Sequence, residues 1–589
     1  LKRLNFIILF IAAMALLLLA RVYFLSIKSN TYYEELSKQN YIKRIYEAPS
    51  RGIIEDRNGV ALAINNLGFS LSVKPHLRSY KNQQILEELC ETIVQYFPEF
   101  SKEELIKKYL KLDSPYRHTY VQLIEYIPYD NFFDKYTLFN AMENIKVESA
   151  VKRYYPYQNI ASHIIGYVGK ASREDIQENP VSKYSGIIGK NGLEKFYNEK
   201  LQGKLGYKDV KVNALNKHLE ILDEKEVSKD NNIQTTLDIE LQSFIHDEFG
   251  DQSGAIVVMN ANDGEILAAG SFPEFDNNIF VNGITHKQWN ELSSDFNHPF
   301  TNKLINGLYP PGSVWKMGVA LAFLENNVDP DISLYCAPEM KLGERLFRDW
   351  KPEGHGWTNF RKAIRESVDV FFYKLSLKVG IDEMHQTLNK YGFGQKTGID
   401  QVNEFIGVNP NKEWKKKRYN KPWYMGETVI SSIGQGYVLV TPMQVARYTA
   451  FLATGNLPTP HFFKDGYKEP EKVDVNPAHL KMIQRGMYDV TNKEGGTARW
   501  HVRNSKVTMA GKTGTAQVVS IPQSEKVRMK EHELEYYHRS HAWLTTYAPY
   551  DNPQYVITIL IEHGGHGGSA GGDITAKIYN KLLELGYIK

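Results

Sequence analysis

Cysteine is almost missing from this chain: 589 residues contain two, Cys90 and Cys336, and neither belongs to a Cys-x-x-Cys pair. A disulfide framework is thereby excluded and two free thiols are expected. Charge of one sign is also scarce in surplus, with 71 Lys and Arg against 68 Asp and Glu, a formal net of +3, and no extended like-charged block. Such a balance gives no electrostatic footprint for nucleic acid. Internal repeats and low-complexity tracts are lacking as well. What is present is an ordinary globular composition, 42% hydrophobic and 24% charged, in a chain long enough for several domains.

Only one hydrophobic run is long. Phe6 to Ala20 is unbroken apolar sequence, and past Arg21 the residues Val22-Tyr23-Phe24-Leu25 extend it to about twenty, enough to span a bilayer. No small-x-small cleavage site follows it, so an uncleaved single-pass anchor is expected, with Arg21 snorkelling to the interface. Lys2 and Arg3 favour a cytoplasmic N-terminus, while Lys28, Lys38, Lys43 and Arg44 on the other side work against that assignment.

Along the body, Arg57-Asn58-Gly59 reads as a turn between short strands. Residues 82–112 have helical periodicity broken at Phe97-Pro98, the pattern of a helical insertion exposed to solvent. Polar Val227-Ser228-Lys229-Asp230-Asn231-Asn232 is the expected domain boundary. The predicted division is 1–27 for the cytoplasmic tip and anchor, 28–230 for a non-catalytic pedestal with its insertion near 82–150, and 231–589 for the catalytic domain. In that last domain Asp238 caps a helix, and Gly254–Asn260 with Gly264–Ala269 forms a hairpin. Helical patterns fill 313–453, strands return at Val507–Ala510 and Tyr555–Ile561, and a last helix runs from Asp573 to Leu585. Strands at both ends with helices between them predict an α/β (α+β) domain: one sheet from terminal segments beside a helical cluster.

Three short motifs carry the chemistry. Ser313 and Lys316 follow Tyr309-Pro310-Pro311-Gly312 and lead into the apolar run Met317–Leu324, so both fall on one turn at the start of a buried helix. A lysine desolvated there has a lowered pKa and can take a hydroxyl proton. The pair by itself is common: Ser149-Ala150-Val151-Lys152 is a second copy. Ser367-Val368-Asp369 stands fifty-four residues beyond Ser313, and Ala510-Gly511-Lys512-Thr513-Gly514-Thr515 follows later, after a predicted strand. Another Lys-Thr-Gly, at 396–398, lies in a turn with no strand before it and is read as structural.

Ser-x-x-Lys, Ser-x-Asn/Asp and Lys-Thr-Gly in that order resemble the penicillin-binding proteins and related β-lactamases. Ser313 is expected to attack, Lys316 to take its proton, Ser367 to relay that proton to the leaving nitrogen, and Lys512 to lower the Lys316 pKa and attract a substrate carboxylate. Thr513 and Thr515 suit that carboxylate, and the backbone N–H groups of Ser313 and Thr515 suit an oxyanion hole. Gly514 leaves room for a substrate lying along the strand. Asp369, if ionised, can only accept hydrogen bonds and would meet a substrate N–H.

The likeness covers nearly the whole chain. Arg51-Gly52 with Asp56-Arg57-Asn58-Gly59, Arg153-Tyr154-Tyr155-Pro156 and Gly192-Leu193-Glu194 resemble the pedestal of class B penicillin-binding proteins, and Gly434-Gln435-Gly436 with Thr441-Pro442-Met443-Gln444 resembles their transpeptidase domain. Asp369, Arg348-Asp349-Trp350-Lys351 and Gly354-His355-Gly356 look most like the elongation branch, penicillin-binding protein 2. This resemblance implies a peptidoglycan DD-transpeptidase of the periplasmic face of the inner membrane. It implies crosslinking of D-Ala-D-Ala stem peptides during elongation, a DD-carboxypeptidase side activity, and inhibition by β-lactams. A SEDS-family glycan polymerase of the RodA kind and an MreC-type scaffold are the implied partners. A penicillin sensor is the alternative, but sensors are expected to carry further membrane spans or an output module. No cofactor is required; Cys336, Asp349 and His355 are residue types that bind zinc, yet the cysteine some relatives use for it is replaced here by Val368. Gly567-Gly568-Ser569-Ala570-Gly571 matches a nucleophile elbow, but no histidine follows it, and a loop near the active site is expected there instead.

Overall fold

The fold is taken from a computed structural model that describes residues 2–28, 41–79, 82–115, 119–212, 218–519 and 531–589. The chain forms two compact units. The first comprises Leu1–Gly52, Lys170–Ile188 and Glu199–Asn231. It contains the apolar helix Lys2–Tyr23, continued as a π-helical turn over Phe24–Lys28, which together are long and apolar enough to cross a membrane. It also contains an antiparallel sheet in which Gly206–Val212 lies between Ile42–Glu47 and His218–Lys225.

The second unit comprises Ile53–Gly169, Gly189–Asn198 and Asn232–Lys589. Its opening turn is built by Asp56, whose Oδ1 accepts from the N–H groups of Asn58 and Val60, both at 2.8 Å, while Gly59 takes φ +85°. The long strand Ala61–Val73 then pairs with Val121–Pro128 on one side and Ile145–Tyr154 on the other. The expected insertion forms helices Gln83–Tyr96 and Lys102–Leu112, separated at Phe97-Pro98. They do not simply face solvent: Leu86, Cys90, Ile93, Leu105 and Tyr109 pack with Phe97, Phe132 and Phe139 in a local hydrophobic core. The helical spacing of those residues was therefore a core signal.

Arg153 and Glu194 form an ion pair whose side chains are both fully buried, Arg153 Nε donating to Glu194 Oε1 at 2.7 Å and Tyr155 Oη to the same oxygen at 3.2 Å. Removing one partner of such a pair leaves an uncompensated buried charge. Glu194→Ala is expected to cost about 3–5 kcal/mol, read as a lowered denaturation midpoint of the second unit, whereas an unchanged midpoint would show that the pair bears no structural load.

The C-terminal part of this unit is built on a five-stranded antiparallel sheet in the order Ile266–Phe272, Gly254–Asn260, Tyr555–Ile561, His541–Ala548, Ala510–Ala516. Terminal segments thus supply the whole sheet, as predicted. Neighbouring residues of one strand point to opposite faces. Thr545 Oγ1 is 2.7 Å from Thr449 Oγ1 of helix Pro442–Thr454, and Thr546 Oγ1 is 3.0 Å from Tyr579 Oη of helix Gly567–Glu584. A helix therefore covers each face, which is why all five strands are almost wholly buried.

Three expectations need correction. Residues 313–453 are not helical throughout: Leu334–Cys336 pairs with Gly356–Thr358, and Glu339–Leu342 forms a hairpin with Arg345–Arg348 around Gly343 at φ +63°. The Lys-Thr-Gly motif does not follow a strand but is the strand, since pairing starts at Ala510. The final helix begins at Gly567, not Asp573, and absorbs the glycine-rich segment expected to be a loop. A Cβ on Gly567 would lie 1.9 Å from the Trp543 carbonyl oxygen, so tight packing against the sheet overrides the poor helix propensity of glycine here.

Candidate active site

The nucleophile turn owes its shape to its neighbours. After Pro310-Pro311, Gly312 adopts φ +53°, and a Cβ there would come within 2.6 Å of the Thr515 carbonyl oxygen. Only glycine allows the turn to approach the motif strand so closely. Gly312–Trp315 is one 3-10 turn and the α-helix proper starts at Lys316, running to Glu325 with Lys316–Leu324 buried. Ser313 is thus half-buried just ahead of the helix, and Lys316 is its first residue.

Around Lys316 the expected partners converge. Its Nζ donates to Ser367 O at 2.7 Å, Ser367 Oγ at 3.3 Å and Asp369 Oδ1 at 2.6 Å. Lys512 Nζ donates to Ser367 Oγ at 2.9 Å and to Thr513 O at 2.9 Å. Ser367 Oγ therefore sits between two lysine Nζ atoms, both on fully buried residues. Thr513 Oγ1 is held 2.7 Å from Thr497 Oγ1. The motif strand Ala510–Ala516 lies at the sheet edge, paired with His541–Ala548 on one side.

The electrostatics follow from burial. Burial first and the charge of Lys316 second hold Lys512 well below the ordinary lysine range. Burial pushes the Asp369 carboxyl up, with the charge of Asp349 adding to it and Lys316 offsetting it in part. Burial and the neighbouring Lys316 both favour the neutral form of Lys512, while Asp369 favours its charged form.

Ser367 itself takes φ +58°, a left-handed conformation that costs about 1–3 kcal/mol in a non-glycine residue. A side-chain clamp holds it there. Asp349 Oδ2 accepts from Val370 N at 3.0 Å, Trp350 Nε1 donates to Glu366 O at 3.1 Å, and His355 bridges Asp349 Oδ1 at 3.2 Å and Glu366 Oε2 at 3.0 Å. Burial alone would lower the His355 pKa, but the two carboxylates outweigh it and hold it above its ordinary value. Both ring nitrogens are engaged in the manner of an ion-paired imidazolium. Cys336, the third residue weighed for zinc, is buried with its Sγ directed at Leu334 O, and among the described residues no group of three or more His, Cys, Asp or Glu is arranged to hold a metal ion.

The repeated motifs separate cleanly. Ser149 and Lys152 lie on strand Ile145–Tyr154, where positions three apart face opposite sides. Thr397 N donates to Glu404 Oε1 at 2.7 Å, its hydroxyl bonds the same oxygen, and Gly398 turns the chain at φ +82°. Ser569 is exposed in the first turn of helix Gly567–Glu584, its Oγ donating to His566 O at 3.0 Å. Two residues whose roles sequence reasoning did not define belong to the site. Gly312 N donates to Gly434 O at 2.9 Å, and Gln435 Nε2 to Thr515 O at 3.3 Å, so the Gly434-Gln435-Gly436 segment joins nucleophile turn to motif strand. The only advance signal was that segment's family likeness.

A family model described as the penicillin binding protein transpeptidase domain matches residues 254–584, and one described as the penicillin-binding protein dimerisation domain matches 46–235. The chain is 33% identical to the peptidoglycan D,D-transpeptidase MrdA of Haemophilus influenzae over 588 residues, 96% of this chain and 89% of that protein. Among solved structures, penicillin-binding protein PBP2 of Helicobacter pylori in complex with MreC superposes with a TM-score of 0.86 at 44% identity, covering 93% of this chain and 100% of that one. A peptidoglycan synthase complex that coordinates polymerization and crosslinking gives a TM-score of 0.71 at 27% identity, covering 100% and 99%.

Proposed function

The chain belongs to the penicillin-binding protein transpeptidase family and is a peptidoglycan D,D-transpeptidase of the PBP2 type, and on that premise we propose that Ser313 is the residue acylated in its reaction. Ser313 Oγ attacks the carbonyl carbon of the penultimate D-Ala while Lys316 accepts the hydroxyl proton. Collapse of the tetrahedral intermediate breaks the C–N bond, and the proton passes through Ser367 Oγ to the departing D-Ala amine. An acceptor amine then attacks the acyl-enzyme, forming the new C–N bond, breaking the C–O bond to Ser313 and returning a proton to Oγ. Water in place of the amine would give the carboxypeptidase side reaction.

The observation that carries this reading is the contact chain Lys316 Nζ, Ser367 Oγ, Lys512 Nζ, with links of 3.3 and 2.9 Å. Lys512, Thr513 and Thr515 suit the substrate carboxylate, and Gly514 and the strand edge suit the peptide backbone. The N–H groups of Ser313 and Thr515 form the oxyanion hole in this reading, and Asp369 orients Lys316 in addition to facing a substrate N–H. Every step falls to a side chain or backbone group, so the reading needs no cofactor.

In the same reading, 1–27 anchors the chain in the cytoplasmic membrane, 28–230 is the pedestal, and 231–589 is the transpeptidase domain on the periplasmic side. By analogy with the relatives, an MreC-type scaffold and a RodA-like glycan polymerase are the partners, and β-lactams are the inhibitors. Peptide mapping of the chain after penicillin treatment tests the assignment: the adduct is expected on the peptide containing Ser313, and an adduct on that containing Ser569 would sink it.

Asp369 gives a pH prediction. Its negative charge stabilises the ammonium form of Lys512, against burial and the charge of Lys316, and proton transfer through the cluster needs an unprotonated amine. Asp369→Asn is therefore expected to retain acylation but move the acid limb of its pH–rate profile to lower pH, by about one unit or more. A limb that stays in place or moves upward would separate Asp369 from proton transfer.

A further inference from the structure

Residues 412–425 hold six cations and a single acid, Glu413. Two of the cations are committed: Lys412 pairs with Asp382 at 2.8 Å, and the buried Lys415 pairs with Glu427. The other four are Lys416, Lys417 and Arg418 on helix Lys412–Tyr419 and Lys421 just past it. All four are exposed, and among the described residues they form no ion pair. Cations in a last helical turn complement its dipole, but that explains neither Lys421 nor the aromatic residues alongside. Tyr419 and Tyr424 are 47% and 59% exposed. Their rings are braced from beneath: Lys415 Nζ lies 4.6 Å from the Tyr424 ring centre, and the Tyr419 ring rests against Tyr437 and Trp414 at 5.4 and 5.7 Å. Tyrosines held in this way offer a large amphipathic contact area at little entropic cost.

This face is continuous with the wall of the active site. Tyr437 stands two residues past Gln435, whose side chain donates to the Thr515 oxygen, and helix Met425–Ser431 leads from Tyr424 towards Gly434 beneath the nucleophile turn. A peptidoglycan polymer engaged at Ser313 has to leave the site over one of its walls, and the chemistry of this wall fits it. Each stem that ends in D-Ala carries a free carboxylate to meet the cations, and each pyranose ring presents an apolar C–H face to the negative face of a tyrosine ring. A membrane surface fits less well, because 412–425 contains no Leu, Ile, Val or Phe to enter it. We propose that the exposed face of 416–424 is a second binding site, outside the catalytic groove, for the glycan strand and stem carboxylates of polymeric peptidoglycan. It rests on the reading of Ser313 as the residue that takes this substrate.

The full chain in non-ionic detergent, acylated with penicillin so that the catalytic groove is filled, is mixed with insoluble peptidoglycan sacculi and pelleted; the bound fraction against sacculus mass gives the affinity. The native chain is expected to pellet. Lys416→Glu, Lys417→Glu and Arg418→Glu combined should weaken binding about tenfold or more, as for several exposed charge contacts replaced by repulsions, with the denaturation midpoint unchanged. Tyr424→Ala should weaken it about threefold through loss of the ring face. Sacculi whose carboxylates have been amidated should bind more weakly, and salt should no longer affect what binding remains. Absence of pelleting, or binding unmoved by either variant, overturns the proposal. So does release by polyglutamate at a carboxylate concentration no higher than that of the sacculi, which would make an acidic polypeptide the occupant. A penicillin adduct that maps away from Ser313 would instead overturn the reading on which the proposal rests.

Discussion

Ser313→Ala is expected to lower the rate of acylation by penicillin by on the order of 10⁶, to background in a gel assay, while the chain still folds. The loss should be this large because the remaining groups cannot substitute for the missing oxygen. Lys316 and Lys512 both point at Ser367 Oγ, but Ser367 is only 6% exposed and locked in a left-handed conformation, poorly placed to become the attacking group itself. Ser569→Ala is the matched control and should label at the native rate, since its hydroxyl serves only its own helical turn. Labelling that persists in Ser313→Ala would remove the central assignment.

Gly434→Ala should show the second largest effect, without touching any group that reacts. Gly434 has φ +70°, and a Cβ on it would lie 2.3 Å from the Gly312 oxygen and 2.8 Å from Trp315 Cβ. The added methyl can be accommodated only by moving the 3-10 turn that carries Ser313. A displacement of about 1 Å costs near 10²-fold in rate, and alanine forced to positive φ costs more than about 1 kcal/mol in stability. Gly436 separates the two consequences. Its φ is +75°, but its nearest neighbour is Ile430 Cγ2 at 3.1 Å, away from the nucleophile turn. Gly436→Ala should therefore lose stability comparably and acylation far less. Equal loss of acylation in both variants would mean that Gly434 matters only for folding.

The elements that sequence described best are those whose signal is local. Asp238 capping helix Ile239–Phe249, the Asp56–Gly59 turn and the apolar strand Tyr555–Ile561 each follow from residues within a few positions of one another. Elements it misplaced are those shaped by distant contacts. Gly567–Gly572 forms a helix because the sheet surface admits no side chain there, and Ala510–Ala516 is a strand because His541–Ala548 pairs with it. The insertion core was visible only in part, as the periodicity of 82–112; Phe97, Phe132 and Phe139 join it from separate segments and carried no such signal.

For the site, sequence by itself determined the inventory and the order: a serine and lysine one turn apart, then Ser367 and Asp369, then Lys512 with its threonines. Those choices are written in residue type and spacing. Only the tertiary structure decided which of them are desolvated and which charges lie beside them, because both depend on what surrounds each side chain, not on what precedes it. It set the lowered pKa on Lys512, placed Asp369 against Lys316, strained Ser367, and gave Gly434 its place beneath the nucleophile.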